Sequence, residues 1–377
     1  MQAGKREWNH GAVIGHFLSA LRVPTVVVAL VCVAAVPAAT QTTRTDTPKG
    51  TRAWTPSLTP DGQPDLQGVW SDVSITPLER PLALQGRQFL TDQEVSQLKA
   101  RADRLFSNAA SDFVAGDNLF LALLANAETV ENPNATGSAL NMVFREFDNR
   151  TSLIIDPQDG RLPAMTPEGR RRVTANQVAT LTLPWQFGQG ASAEPRQLPP
   201  GRPRPNSAED LSTLLRCISW GVPKIAGNAN YTSHYEIFQG PGYVVFLSEV
   251  NHEARVIPLD GRPHLSQSIR QWNGDSRGRW EGNTLVVETT NFAPKSYFMG
   301  SADRLHLVER FTRMGEDRID YAVTIDDPTT WTRPWTAVVR LRSAQDDIHE
   351  FACHEGNHHV VRGILGGARA EEQSPPN

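Results

Sequence analysis

From Tyr243 to Cys353 apolar and polar residues alternate with a period of two, the spacing of strands with one face in a core and the other in water. Ile319, Tyr321, Val323 and Ile325 alternate with Asp320, Ala322, Thr324 and Asp326, giving one apolar face and one mostly polar face. The pattern predicts strands over 243–250, 254–258, 284–291, 304–313, 318–326, 335–342 and 348–353, several joined by short turns rich in Gly, Asp and Asn. So many strands with few intervening helices predict a mainly β fold, an antiparallel barrel or sandwich.

Upstream the period changes. Thr91-Asp-Gln-Glu94 has the spacing of a capping box, and Val95, Leu98, Ala102 and Leu105 follow at helical intervals, predicting a helix over 91–106. Thr166-Pro167-Glu168 offers an N-cap, a first-turn Pro and a first-turn acid for a helix over 167–181. Arg150–Ile155 reads as a strand stopped by Asp156-Pro157. Residues 65–188 are therefore a mixed α/β N-terminal region that adds helices to the β fold. Pro195, Pro199, Pro200, Pro203 and Pro205 make 189–206 a linker or long loop, ahead of an antiparallel β domain over 207–368. Residues 40–64 and 369–377 are predicted to be an unordered leader and tail. In Pro64-Asp-Leu-Gln-Gly-Val-Trp70 a Gly two residues before a Trp resembles the opening of lipocalin-type barrels, so a lipocalin-like barrel is expected.

Lys5, Arg6 and Arg22 precede the apolar run Thr25–Val36, and small residues follow it, so 1–39 reads as a secretory signal; an uncleaved anchor is the alternative. The whole chain carries a formal net charge of −4, and loss of Lys5, Arg6, Glu7 and Arg22 would make it about −6, which argues against nucleic acid as a partner. No stable membrane span is expected after cleavage, and the localisation read from the signal is periplasmic or secreted. Cys217 and Cys353 then remain as disulfide partners or, alternatively, as two separate buried thiols.

Eight of the ten histidines lie between His234 and His359, densest in Ala352-Cys-His-Glu-Gly-Asn-His-His359. His354-Glu-Gly-Asn-His358 matches the H-E-x-x-H zinc signature literally, but Gly-Asn at its centre and a predicted strand before it oppose the helix that signature needs. His354 with Glu355 as its orienting carboxylate, and His252, are the candidate proton-transfer residues, with Glu350 and Asp326 as reserve acids. Turn capping is the competing account of His354 and Glu355. Arg255 and Arg262 are candidates to hold a substrate anion, unless Glu253 and Asp260 merely pair with them. His264, Trp272 and Trp335 complete the expected substrate contacts, the tryptophans as a stacking wall or as packing. No cofactor or metal is assigned; a divalent cation on His252, His264 and His354 is the alternative. The chain has no G-x-S-x-G elbow, phosphate-binding glycine loop or dinucleotide fingerprint.

Pro64–Trp70, Ser152-Leu-Ile-Ile-Asp-Pro157, Ile257-Pro-Leu-Asp-Gly-Arg-Pro-His264, Gly274–Thr284, His306–Thr312 and Ala352-Cys-His-Glu-Gly-Asn357 together resemble a family of exported bacterial proteins abundant in acidobacteria and some proteobacteria. The resemblance implies export and motif positions, not a reaction. In that family Tyr follows His-Glu-Gly-Asn; His358 departs from it, which further weakens the zinc reading. The expectation is an exported small-molecule enzyme doing metal-independent acid–base chemistry, hydrolysis or elimination, at a barrel mouth. A non-catalytic periplasmic binding protein for a hydrophobic or aromatic ligand, and a metal-dependent hydrolase, are the alternatives; oligomeric state is not predicted.

Overall fold

The computed structural model describes residues 54–74, 76–107, 146–176, 205–225, 234–296, 298–344 and 347–373. Its strands are β1 (Gly68–Asp72), β2 (Ile154–Asp156), β3 (His234–Gly240), β4 (Tyr243–Ser248), β5 (Glu253–Pro258), β6 (Asp275–Glu281), β7 (Thr284–Thr290), β8 (His306–Gly315), β9 (Arg318–Asp326) and β10 (Trp335–Ser343). They form one ten-stranded antiparallel sheet, curled into a nearly closed barrel. Starting at β1 and passing β3, β4 and β5, then β6 to β10 and back to β1, the strands follow chain order around the ring. β2 stands outside that path and shares an edge of β10: Thr336 and Ala337 pair with β2, Leu341 to Ser343 with β1.

The ring has one seam, between β5 and β6. Every other neighbouring pair is antiparallel, so the count around the ring leaves β5 and β6 running the same way. Side chains bridge the seam where the backbone ladder does not: Arg255 Nε donates to Ser276 Oγ at 3.0 Å. Close approach there requires Gly278, since a Cβ at that position would lie 2.6 Å from Leu259 Cδ2 and 2.8 Å from Ile257 Cγ2.

Alternation places the predicted faces. Leu285 and Val287 of β7, Leu307 and Phe311 of β8, Ile319, Tyr321, Val323 and Ile325 of β9, and Trp335, Ala337, Val339 and Leu341 of β10 form a continuous buried core. One end of the barrel is made of hairpin turns and closed by Trp70, over whose ring the Arg313 guanidinium sits 4.8 Å from the centroid. At the other end β3, β5, β6, β8 and β10 begin, and this is the mouth.

The helices are α1 (Asp92–Ser107), α2 (Pro167–Asn176) and α3 (Asn357–Gln373). The capping box of α1 forms as its sequence predicts: Glu94 N donates to Thr91 Oγ1 at 3.2 Å and Thr91 N donates to Glu94 Oε2 at 2.8 Å. Thr166 caps α2, accepting from Gly169 N at 3.0 Å, and the predicted extension of this helix over 177–181 lies outside the described residues. So do residues 1–53, which hold the predicted signal, and 177–204, which hold most of the predicted linker.

Several expectations need correction. Residues 348–353 are not a strand but irregular chain leading into α3, which itself continues to Gln373 through most of the predicted tail. β6 and β3 are strands where none was expected; in β6 the single glycine, Gly278, permits the close approach at the seam. Within the predicted leader, residues 58–64 form a turn closed by a Leu58–Pro64 bridge. Cys217 and Cys353 are disulfide-bonded across 136 positions, tying the segment before β3 to the approach to α3. No helix among the described residues is long and apolar enough to cross a membrane.

Candidate functional site

Beneath the mouth, on the β3–β5 side, the barrel interior holds a cavity of about 40 Å³, open to solvent and lined by Val222, Lys224, Tyr235, Phe246, Ser248, Glu253, Arg255, Asn273, Glu309, Phe311 and Tyr321. Strand parity puts these side chains there: Tyr235, Phe246, Ser248, Glu253, Arg255, Glu309, Phe311 and Tyr321 occupy inward positions of β3, β4, β5, β8 and β9. Four aromatic rings make its wall. Phe311 stacks on Tyr321 with centroids 4.6 Å apart and meets Phe246 at 4.7 Å; Tyr235 lies 6.3 Å beyond Phe246.

The floor is an ion pair. Arg255 holds the Glu309 carboxylate with both terminal nitrogens, and donates to Ser276 Oγ at 3.0 Å and Thr289 Oγ1 at 2.7 Å. Tyr321 OH donates to Glu309 Oε1 at 2.8 Å. Burial alone would lower the Arg255 pKa; the Glu309 charge overrides it and holds the guanidinium above its ordinary value. Burial, then the Glu309 charge, pushes the Tyr321 hydroxyl well above its usual range, so it stays a donor. Burial likewise raises Tyr235, with Asp72 and Glu309 adding to it.

At the mouth the second carboxylate, Glu253, is held by Asn273 Nδ2 and by the Ser219 hydroxyl, 3.0 Å from Glu253 Oε2. Ser219 is itself placed by the disulfide-linked segment and accepts from Gly221 N at 2.8 Å. Both acids are thereby engaged, and Lys224 is left to donate to the Ser248 hydroxyl, with no ion pair among the described residues. Burial lowers its pKa to about 8; Arg255 pushes the same way, while Glu253 and Glu309 oppose. Asp72, at the end of β1, is raised to about 7 by burial, against a hydrogen bond from Ser74 N and the charge of Arg150.

The residues expected from the sequence are spread differently. Arg255 alone of them lines the cavity, and its guanidinium is occupied by Glu309 rather than free. Arg262 is exposed and paired with its neighbour Asp260. Trp335 has no exposed surface and packs edge-on against Trp331 at 5.8 Å, so it is core. Trp272 is partly buried with the Arg216 guanidinium 5.7 Å over its ring. His252 is exposed on the β4–β5 connection, in a left-handed pair with Asn251. His354 and Glu355 lie exposed in the turn before α3, Glu350 is exposed nearby, and Asp326 sits across from His306 at the end of β9.

His264 is the one histidine of the set held by a carboxylate, its Nδ1 2.9 Å from Asp275 Oδ2; Asp275 Oδ1 accepts from Arg277 at 2.7 Å. That pair lies at the outward start of β6, whereas Ser276 faces the interior. No hydrogen bond or ion pair among the described residues joins His252, His264 and His354, and no three His, Cys, Asp or Glu side chains there gather as a metal group. The turn around Cys353 acts as a strut: besides the disulfide, Asn357 Nδ2 donates to Leu215 O at 2.8 Å, and His349 N to Glu249 Oε1 at 3.2 Å.

The chain matches no protein-family model, no curated protein and no solved structure. Function is therefore argued from the chemistry of the site.

Proposed function

We propose that the protein is an exported binding barrel for a small aromatic or similarly flat apolar compound bearing a polar group. The observation that carries this reading is the cavity itself: four aromatic side chains on one wall, with Lys224, Ser248 and Glu253 at its rim. The rings supply apolar area and stacking, and the rim supplies orientation. The Cys217–Cys353 disulfide supports an oxidising compartment, in line with the apolar N-terminal run.

The acid–base reading keeps one foothold, the His264–Asp275 pair, in which the carboxylate fixes the ring and leaves Nε2 to act. It faces away from the cavity, which is why binding is the better-supported function.

Fluorine NMR with 4-fluorobenzyl alcohol tests the proposal. Line broadening on adding the protein is expected, and Val222→Trp, which places a ring at the cavity lining, should abolish it while the circular-dichroism spectrum shows the sheet intact. Undiminished binding in Val222→Trp, or loss of binding in His354→Ala, would move the site out of the barrel.

A further inference from the structure

Of the four charged side chains lining the cavity, three have fixed occupations. Arg255 and Glu309 hold each other, and Glu253 is gripped by Ser219 and Asn273. Lys224 is the fourth. Its amine meets a neutral hydroxyl, Ser248, in a cavity walled by aromatic rings. A lysine recruited for stability would sit against one of these carboxylates, whereas here serine, asparagine and arginine have taken both. We propose that Lys224 is a nucleophile that captures a carbonyl ligand, an aromatic aldehyde or ketone, as a Schiff base inside the barrel; this rests on the binding function proposed above.

The chemistry balances without a further reagent. The Lys224 nitrogen attacks the carbonyl carbon, the C=O π pair moves to oxygen, and proton transfer from nitrogen to oxygen gives a neutral carbinolamine. Loss of that oxygen as water, with the second nitrogen proton, leaves the C=N bond, so amine and carbonyl become imine and one water. Ser248, which the Lys224 amine meets, lines the same cavity. Burial and the Arg255 charge favour the neutral amine that this step needs, against the opposing charges of Glu253 and Glu309, and the result near 8 leaves a reactive fraction at neutral pH. Phe246 and Phe311 offer the ring of an aromatic carbonyl a stacking surface in the same space.

The test is reductive trapping of the whole protein with 4-fluorobenzaldehyde and cyanoborohydride at pH 7.5, with sites mapped by peptide mass spectrometry. Lys224 should be labelled at least about tenfold faster than Lys99 or Lys295, because burial and the Arg255 charge favour its neutral amine and the cavity holds the aldehyde beside it. Excess 4-fluorobenzyl alcohol should slow labelling of Lys224 and spare the other two. Lys224→Arg should lose the fast adduct while the slow labelling of Lys99 and Lys295 stays as it was. Equal labelling of all three lysines overturns the inference, as does fast labelling of Lys224 that the alcohol leaves untouched. Binding of the alcohol without a Lys224 adduct sinks the Schiff base and leaves the binding function standing; no binding of the alcohol defeats that function first.

Discussion

The two sides of the barrel mouth are built to opposite ends. At the β9–β10 connection the interior is sealed by Trp331, Trp335 and Phe298, with Phe298 stacked 6.3 Å from Trp335, and α2 is pinned beside them by Thr166 and Thr330. Over β3 to β5 the same interior is hollow and charged, and its cover is a segment held by a disulfide. One side spends its inward positions on close-packed rings, which raise stability; the other places Lys224 and Arg255 inside, where burial opposes charge. Residues on the sealed side should therefore answer to stability measurements, and residues on the open side to ligand.

The sharpest way to break that contrast is to empty the sealed side. Trp335→Ala should cost about 3–5 kcal/mol in denaturant unfolding, since the removed ring leaves a void among fixed neighbours. A cost below about 1 kcal/mol would mean that this side is not packed as described. Reducing the disulfide, or Cys353→Ala, should cost about 2–5 kcal/mol, since the bridge closes a loop of 136 positions in the unfolded chain. It should also weaken ligand binding, because Ser219 and Val222 lie just beyond Cys217.

On the open side the sign reverses. The folded pKa of Lys224 is about 8 against 10.5 in the unfolded chain, so the unfolded state takes up a proton first as pH falls. The penalty is absent above 10.5, grows as pH falls toward 8 and is then constant, amounting to at most about 3 kcal/mol for a shift of this size. Lys224→Met should thus stabilise the protein at pH 7 and lose that advantage by pH 10.5. Asp72 behaves in mirror image: its pKa is raised from 3.8 to about 7, so its penalty appears as pH rises through that window. Asp72→Asn should raise the thermal midpoint at pH 8 and leave it unchanged at pH 3.5. The smallest effect should come from Thr91→Ala, about 1 kcal/mol, by loss of the α1 cap.

Much of the barrel was legible because alternation is a local signal: β9, from Arg318 to Asp326, and the capping box at Thr91 stand where their residues put them. β6 was hidden because Gly278, needed where β5 and β6 touch through side chains, looks like a turn residue until the seam is known. The candidate site was legible only at Arg255. A signal for Glu309 did exist, since an acid between Leu307 and Phe311 breaks an apolar face at an inward position. Lys224 lies in Val222-Pro-Lys-Ile225, where no period marks a facing, and its burial comes from strands distant in sequence. The histidines drew attention by number, whereas His354 ended on the outside because the strand expected over 348–353 is instead the lead into α3, and His252 because it sits in the left-handed β4–β5 connection.

The central claim is that ligand chemistry belongs to the hollow side of the barrel. A crystal of the protein soaked with 4-bromobenzyl alcohol, read by bromine anomalous scattering, tests it most directly. The expected result is one strong peak within the barrel, against Phe246 and Phe311 and below Lys224. A peak beside His354 or His264 instead, or an empty cavity at saturating ligand, would contradict it.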